Sequence, residues 1–232
     1  MGQTLMPASL PLFLRASYAA ATSSRAEDGQ GRSWGRERDV PAAHEHAVPS
    51  ADDAALVIAV KASDERVYER LFLRLFAPLV HFAMHYVRSR DVAEEIVADV
   101  FAVVWEQRDG WAPRNVDGFF YRAVRNRALN VTRDDRRRAQ QHAKWVAMET
   151  SPGLGHVPEP AERIEHRDQW VQLKHAISHL TERQRTILAL RWEYELNWNA
   201  IADTLDMTVS AAQTEHTRIL RALRAFLPDS AI

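Results

Sequence analysis

Residues 118–138 read GFFYRAVRNRALNVTRDDRRR. At helical spacing Phe120, Val124, Ala128 and Val131 fall on one stripe, with Ala123 at its edge. The other side carries Arg122, Arg125, Asn126 and Arg133, and Arg136, Arg137 and Arg138 follow; Leu129 interrupts this polar side. A helix held by one apolar face and showing arginine and asparagine on the other suits phosphates and bases. Arginine neutralises phosphate and forks onto acceptors, while asparagine both donates to and accepts from a base edge. A solvated charged face has the same composition, so the meaning of the stretch rests on its surroundings.

Upstream, Ala93 to Glu106 holds Glu94, Glu95, Asp99 and Glu106 with no lysine or arginine. Asp91 is the expected N-cap, with Glu94 completing a capping box. The apolar stripe is Ile96, Val97, Val100 and Val104, and Phe101 and Trp105 form an aromatic pair beside the acids, read as exposed. Before it, Leu71, Phe72, Leu75, Phe76, Leu79, Phe82, Ala83 and Tyr86 keep a helical period, in which Pro78 is expected to kink or divide the helix. Asp52 and Asp53 are candidate caps for a first helix. Residues 1–50 mix Ala, Ser, Gly, Arg and Pro without sustained periodicity and are expected to form a disordered, dispensable tail, with a wrongly chosen upstream start codon as the alternative.

Downstream, residues 140–165 cluster Pro152, Gly153, Gly155, Pro158 and Pro160 among glutamates, the composition of a linker. Trp170, Leu173, Ile177 and Leu180 then mark a helix, and Thr181 caps a second with Gln184 at the capping-box position. Trp198, Ile201, Ala202 and Leu205 mark a third; Asp206 and Met207 make a turn, and Thr208 caps a fourth reaching about Leu227. That is a helix-turn-helix arrangement. In the last helix Val209, Ala212, His216, Ile219, Leu220 and Leu223 share one sector. Ser210, Thr214, Thr217, Arg218 and Arg221 share the opposite one, with Ala211 beside them and Gln213 and Glu215 on the flanks. Small hydroxyl residues early in such a helix approach base edges, and arginines further along hold backbone. The fold class is all-α: a tail (1–50), a helical domain (51–139), a linker (140–165) and a helix-turn-helix four-helix domain (166–232).

The net charge of −1 over 232 residues hides this asymmetry between acidic and basic helices. The chain has no cysteine, which excludes disulfides, thiolate zinc sites and cysteine nucleophiles and suits a reducing compartment. No apolar run approaches the roughly 18–20 residues of a membrane span, the patch Leu10 to Leu14 included, so a soluble cytoplasmic protein is expected. His81 and His85 have the spacing of a zinc pair, but Phe82 stands where a metalloprotease carries glutamate. No glycine-rich phosphate loop or nucleophile motif is present, so neither catalysis nor a cofactor nor a metal is expected.

These motifs, in this order, resemble the sigma-70 family of RNA polymerase sigma factors in its compact extracytoplasmic-function group. AEEIVADVFAVVW (Ala93 to Trp105) is similar to the family's core-binding helix and FFYRAVRNRALN (Phe119 to Asn130) to its promoter-reading helix. LTERQRTILALRW (Leu180 to Trp192), followed by NAIADTL and TVSAAQTEHTRILRALR, resembles its last block. The resemblance implies binding to the polymerase core, on a coiled coil of the largest catalytic subunit through Glu94, Glu95, Asp99, Phe101 and Trp105, and at the flap region. It implies minus-ten recognition and melting by Phe119, Tyr121, Arg122, Arg125, Asn126, Asn130 and Arg133. Ser210, Ala211, Gln213, Thr214, Thr217, Arg218 and Arg221 would read the minus-35 duplex. Promoter DNA and an anti-sigma protein are the further partners it implies. Family members often carry lysine and arginine early in the recognition helix, where this chain has Gln213 and Glu215, and a common turn glycine is replaced by Asp206. A helix-turn-helix regulator that never joins polymerase is the alternative; it accounts for the second domain but poorly for the acidic helix followed by the arginine-asparagine helix.

Overall fold

The computed structural model describes residues 10–15, 51–143 and 176–224, with no strand among them. The chain divides into two compact units, Met1–Gly155 and His156–Ile232. In the first, α1 is Ala51–Lys61, α2 Glu65–Met84, α3 Arg90–Glu106 and α4 Val116–Ala143. In the second, α5 is Glu182–Leu188, α6 Trp198–Leu205 and α7 Val209–Arg224, with a π-helical turn, Ala189–Glu193, after α5. The expected helix around Trp170 and Leu173 and most of the expected linker lie outside the described residues.

Local chemistry sets where the helices of the first unit begin. Asp64 caps α2, its carboxylate accepting from the Arg66 and Val67 amides at 3.1 Å each. Ser89, not Asp91, caps α3: its hydroxyl accepts from the Val92 amide at 3.4 Å, which places Asp91 in the first turn near the positive end of the helix. Asn115 starts α4, its Oδ1 accepting from the Gly118 amide at 2.7 Å. Pro78 lies inside α2 without dividing it. The lost hydrogen bond costs about 3 kcal/mol, and the buried Leu75, Leu79, Val80 and Phe82 on both sides of the proline offset it. α4 also runs past the expected domain end at residue 139, since Ala139, Gln140, Gln141 and Ala143 favour helix after the amphipathic pattern has gone.

α2, α3 and α4 pack around an aromatic core. The Phe101 and Phe120 rings stack with centroids 4.4 Å apart, and Phe101 meets Tyr68 and Phe72 edge-on at 5.8 and 5.0 Å. The buried Tyr68 hydroxyl donates to the Phe101 carbonyl at 2.7 Å, and burial holds its pKa well above the usual tyrosine value. Arg74 forks onto the Asp117 carboxylate at 3.1 and 2.6 Å, tying α2 to the first turn of α4.

The second unit repeats the logic on a smaller scale. Thr181 and Gln184 form the expected capping box, Asn197 caps α6 by accepting from the Ala200 amide at 2.8 Å, and Thr208 caps α7 by accepting from the Ala211 amide at 3.2 Å. Asp206 takes the left-handed conformation (φ 53°) at the turn, and the Met207 amide donates back to the Ala202 carbonyl at 3.0 Å. Ile187, Leu190, Ile201, Ala212 and Ile219 form the buried centre that fixes α7 against α5 and α6.

Candidate nucleic-acid and polymerase interfaces

On α4 the stripe Phe120, Val124, Ala128 and Val131 is buried as its spacing requires. The polar side divides along its length. Arg122 is buried, Arg125, Asn126 and Asn130 are half-buried, and Arg133 is exposed with Nη1 donating to Asn130 Oδ1 at 3.3 Å. Arg136, Arg137 and Arg138 continue the helix, their side chains outside the described ones. Phe119 and Tyr121, expected to offer a wall to an unstacked base, are instead buried. Phe119 meets Trp111 edge-on at 5.9 Å, and Tyr121 meets Phe82 edge-on at 5.0 Å. Trp111 and α2 flank the start of α4 on two sides, so more than one stripe is enclosed there. Arg125, Asn126, Asn130 and Arg133 are therefore the side chains of the expected set that reach solvent.

α3 departs further from expectation. Phe101 is 0% and Trp105 2% exposed, so the exposed acid-rimmed aromatic pair is absent. Phe101 belongs to the ring cluster above, and Trp105 lies between Tyr68, at 5.0 Å, and the Arg108 guanidinium, 4.8 Å from its centroid. Glu95 is also buried. The physical reason is that α2 and α4 both pack on α3, enclosing a sector wider than Ile96, Val97, Val100 and Val104. What α3 turns outward is the exposed Arg90 and Asp91 with the half-buried Val92 and Glu94 in its first turns, then the half-buried Asp99, Ala102 and Val103, and the exposed Glu106. Asp99 also binds inward: its carboxylate takes the Arg127 guanidinium at 2.9 Å, with side chains 13% and 17% exposed. Glu94 pairs with Arg90 at 2.8 Å. Sequence periodicity missed Ala102 and Val103, which only an assignment of the wide buried sector brings to the outer face.

In the second unit the expected assignment of faces holds. Ala212, Ile219 and Leu223 are buried, while Ser210, Ala211, Gln213, Thr214, Thr217, Arg218 and Arg221 are exposed. Glu215 accepts from Gln184 Nε2 at 2.9 Å and lies 3.5 Å from Arg218, so it is engaged within the domain. A groove of about 480 Å³ runs along the front of α7, lined by Arg183, Met207, Thr208, Ser210, Ala211, Thr214, Glu215 and Arg218. Arg183 reaches it from α5, with Nη2 3.5 Å from Met207 Sδ, and was not among the expected readers. Behind α7, His216 meets Trp198 and Trp192 edge-on at 5.1 and 6.2 Å, and burial, then the positive charge of Arg191, lowers its pKa.

Comparison with known proteins adds to this geometry. The family model for sigma-70 region 2 matches residues 71–138, and that for sigma-70 region 4 matches residues 176–225. Together they cover just over half of the 232 residues, in the order the two units occupy. The chain belongs to the sigma-70 family.

This sigma factor carries regions 2 and 4 of the family, one in each of its two units. It is a transcription initiation factor that directs RNA polymerase to promoters, and a regulator that never joins polymerase is not favoured because it leaves region 2 without a role. No curated protein matches the chain. Among solved structures, CnrH in complex with the cytosolic domain of CnrY is 17% identical, with a TM-score of 0.50, over 75% of this chain and 95% of that one. The sigma factor RpoE in complex with the anti-sigma factor NepR from Bartonella quintana is 19% identical, with a TM-score of 0.47, over 68% and 95%. Among the described residues no helix is long and apolar enough to cross a membrane. Residues 10–15 and α1 lie outside both matched regions.

Proposed function

We propose that this sigma factor joins the polymerase core through the outward face of α3 and reads promoter DNA through α4 and α7, in the cytoplasm. The observation that carries the reading is the exposed face of α7, which shows Ser210, Thr214 and Thr217 together with Arg218 and Arg221, and beside which Arg183 of α5 lines the same open depression. The hydroxyl side chains are short enough to let a duplex edge approach, and the guanidiniums hold phosphate.

On α3, Ala102 and Val103 form a small apolar centre edged by the exposed Glu106 and by the Asp99–Arg127 pair, suited to a helical surface that brings a basic residue to Glu106, such as the coiled coil of the largest catalytic subunit. Glu94 borders it. Phe101, Trp105 and Glu95 shape that surface from behind without touching a partner. On α4, Arg125, Asn126, Asn130 and Arg133 meet the minus-ten strand. Phe119 and Tyr121 contribute to melting only where Trp111 and Phe82 release them, and Arg122 only where its buried site opens. Two modest DNA contacts tethered to one chain reinforce each other through effective concentration. The flap region of polymerase and an anti-sigma protein are further partners; the solved RpoE structure is a complex with the anti-sigma factor NepR, and that of CnrH a complex with the cytosolic domain of CnrY. No catalytic role is assigned.

The test is transcription in vitro with purified core polymerase on genomic DNA, with start sites mapped. Initiation at a defined set of promoters is the expected result, and initiation no different from core alone would reject the reading. Glu106→Lys with Val103→Arg should abolish association with core while leaving the fold intact; unchanged co-purification would remove α3 from the interface.

A further inference from the structure

Residues 10–15, read from sequence as a short apolar patch in a featureless tail, are packed on the first domain. Leu10 and Leu14 are 6% and 2% exposed, whereas Leu12 is 80% exposed. Residues 12–15 make one helical turn, in which the Arg15 amide donates to the Pro11 carbonyl at 3.1 Å. The Phe13 ring lies 5.4 Å from Phe72 and 6.3 Å from Tyr68. This spacing puts Leu10, Phe13 and Leu14 on the domain and Leu12 in water, an i, i+3, i+4 set of anchors.

We propose that residues 10–14 are an in-cis ligand of the first domain, a detachable strap that fills an apolar seat at Tyr68 and Phe72 and braces α3 from behind. Tyr68 carries the bracing. One edge of its environment is Phe13; its ring also meets Phe101 and Trp105, and its hydroxyl holds the Phe101 carbonyl. Seating the strap therefore restricts Tyr68, and Tyr68 restricts the half of α3 whose outer face carries Ala102, Val103 and Glu106. The strap is too short to hold its conformation alone, because an isolated helical turn is unstable in water. It binds in cis because the 35 residues between Arg15 and Ala51 join it covalently to the domain, which makes the encounter intramolecular and raises its effective concentration at the seat. A contact of that kind stays closed most of the time and opens readily. Any effect on core polymerase rests on the reading of α3 given above; the seating and the bracing do not.

The absence of cysteine from the chain makes the seat directly measurable. Leu14→Cys and Leu12→Cys, each in the full chain, carry one thiol apiece, and their rates of reaction with a small maleimide are compared with the rates in denaturant. The Leu14→Cys thiol should react about tenfold or more slowly than the Leu12→Cys thiol, a local protection of the kind a closed segment gives. The ratio should not change with protein concentration. A synthetic peptide of residues 7–16, added at millimolar concentration, should raise the Leu14→Cys rate towards that of Leu12→Cys. Equal rates at the two positions overturn the strap, and protection that grows with protein concentration assigns the seat to a second copy and overturns the in-cis assignment. For the bracing, Phe13→Ala in the full chain should speed amide hydrogen exchange around Phe101 to Trp105, with Leu12→Ala leaving it unchanged. Exchange equal to wild type in Phe13→Ala would restrict the strap to a surface cover. None of these measurements uses polymerase, so a negative result here is distinct from failure of the promoter-directing mechanism.

Discussion

Replacing Phe101 with alanine separates a core role from an interface role on α3. The ring is fully buried, stacks on Phe120 at 4.4 Å, and meets Tyr68 and Phe72 edge-on. A Phe→Ala change in such a site costs about 3–5 kcal/mol through lost transfer energy and the residual cavity; the favourable ring–ring geometries, each worth roughly 0.5–1.5 kcal/mol, place it in the upper half of that range. A small domain is stable by only about 5–15 kcal/mol, so the first domain should lose a large share of its stability. Its melting temperature should fall by well over ~10 °C, at the ~4–8 °C per kcal/mol typical of domains this size. Urea titration with hydrogen exchange resolved by peptide distinguishes this domain from the second. The control is Glu106→Lys, at an exposed position on the same helix, which should leave the transition within about 0.5 kcal/mol of wild type. Both variants should lose association with core, the first because α3 is no longer held and the second because its face is altered. A Phe101→Ala protein with wild-type stability and weakened core binding would refute the burial argument and return Phe101 to the interface.

The second domain should lose stability as pH falls through and below about 6.5, the ordinary histidine value. His216 has a lowered pKa in the folded state, so the unfolded chain binds the proton first; its contribution is complete above 6.5 and is lost on acidification. His216→Leu should flatten that slope in denaturation curves between pH 5 and 7 (roughly the histidine range), and an unchanged slope would assign it to other groups. Arg125→Ala with Asn126→Ala should impair strand opening more than closed-complex formation; permanganate footprints equal to wild type would count against the α4 assignment. Exchanging Ser210 and Gln213 should redistribute promoter use, and an unaltered start-site profile would remove them from base reading. Arg183→Ala should weaken DNA binding across sequences and reduce the salt slope by about one, whereas a change confined to particular promoters would make Arg183 a base reader.

Much of the architecture was legible because local rules act on short stretches. Thr181 with Gln184, Thr208 and Asp206 occupy the cap and turn positions their chemistry suits, and the groove face of α7 follows from a helix with one apolar side. Other local expectations lost to neighbours. Ser89 took the cap expected of Asp91, and Pro78 stayed within α2 because burial on both sides outweighed its missing hydrogen bond. The tail reading missed residues 10–15, since three anchors in fifty residues of mixed composition give no period to detect.

By itself the sequence determined that the chain is helical, where most helices start, and which stripe of α4 and of α7 is buried. Each of those follows from spacing along one element. Only the tertiary structure decided how many sides of each helix are enclosed. α3 lies between α2 and α4, so Phe101 and Trp105 turn into the core and the outer face passes to Asp99, Ala102, Val103 and Glu106. Periodicity reports the side a helix must bury; the width of that side depends on how many partners pack against it, which no single helix encodes.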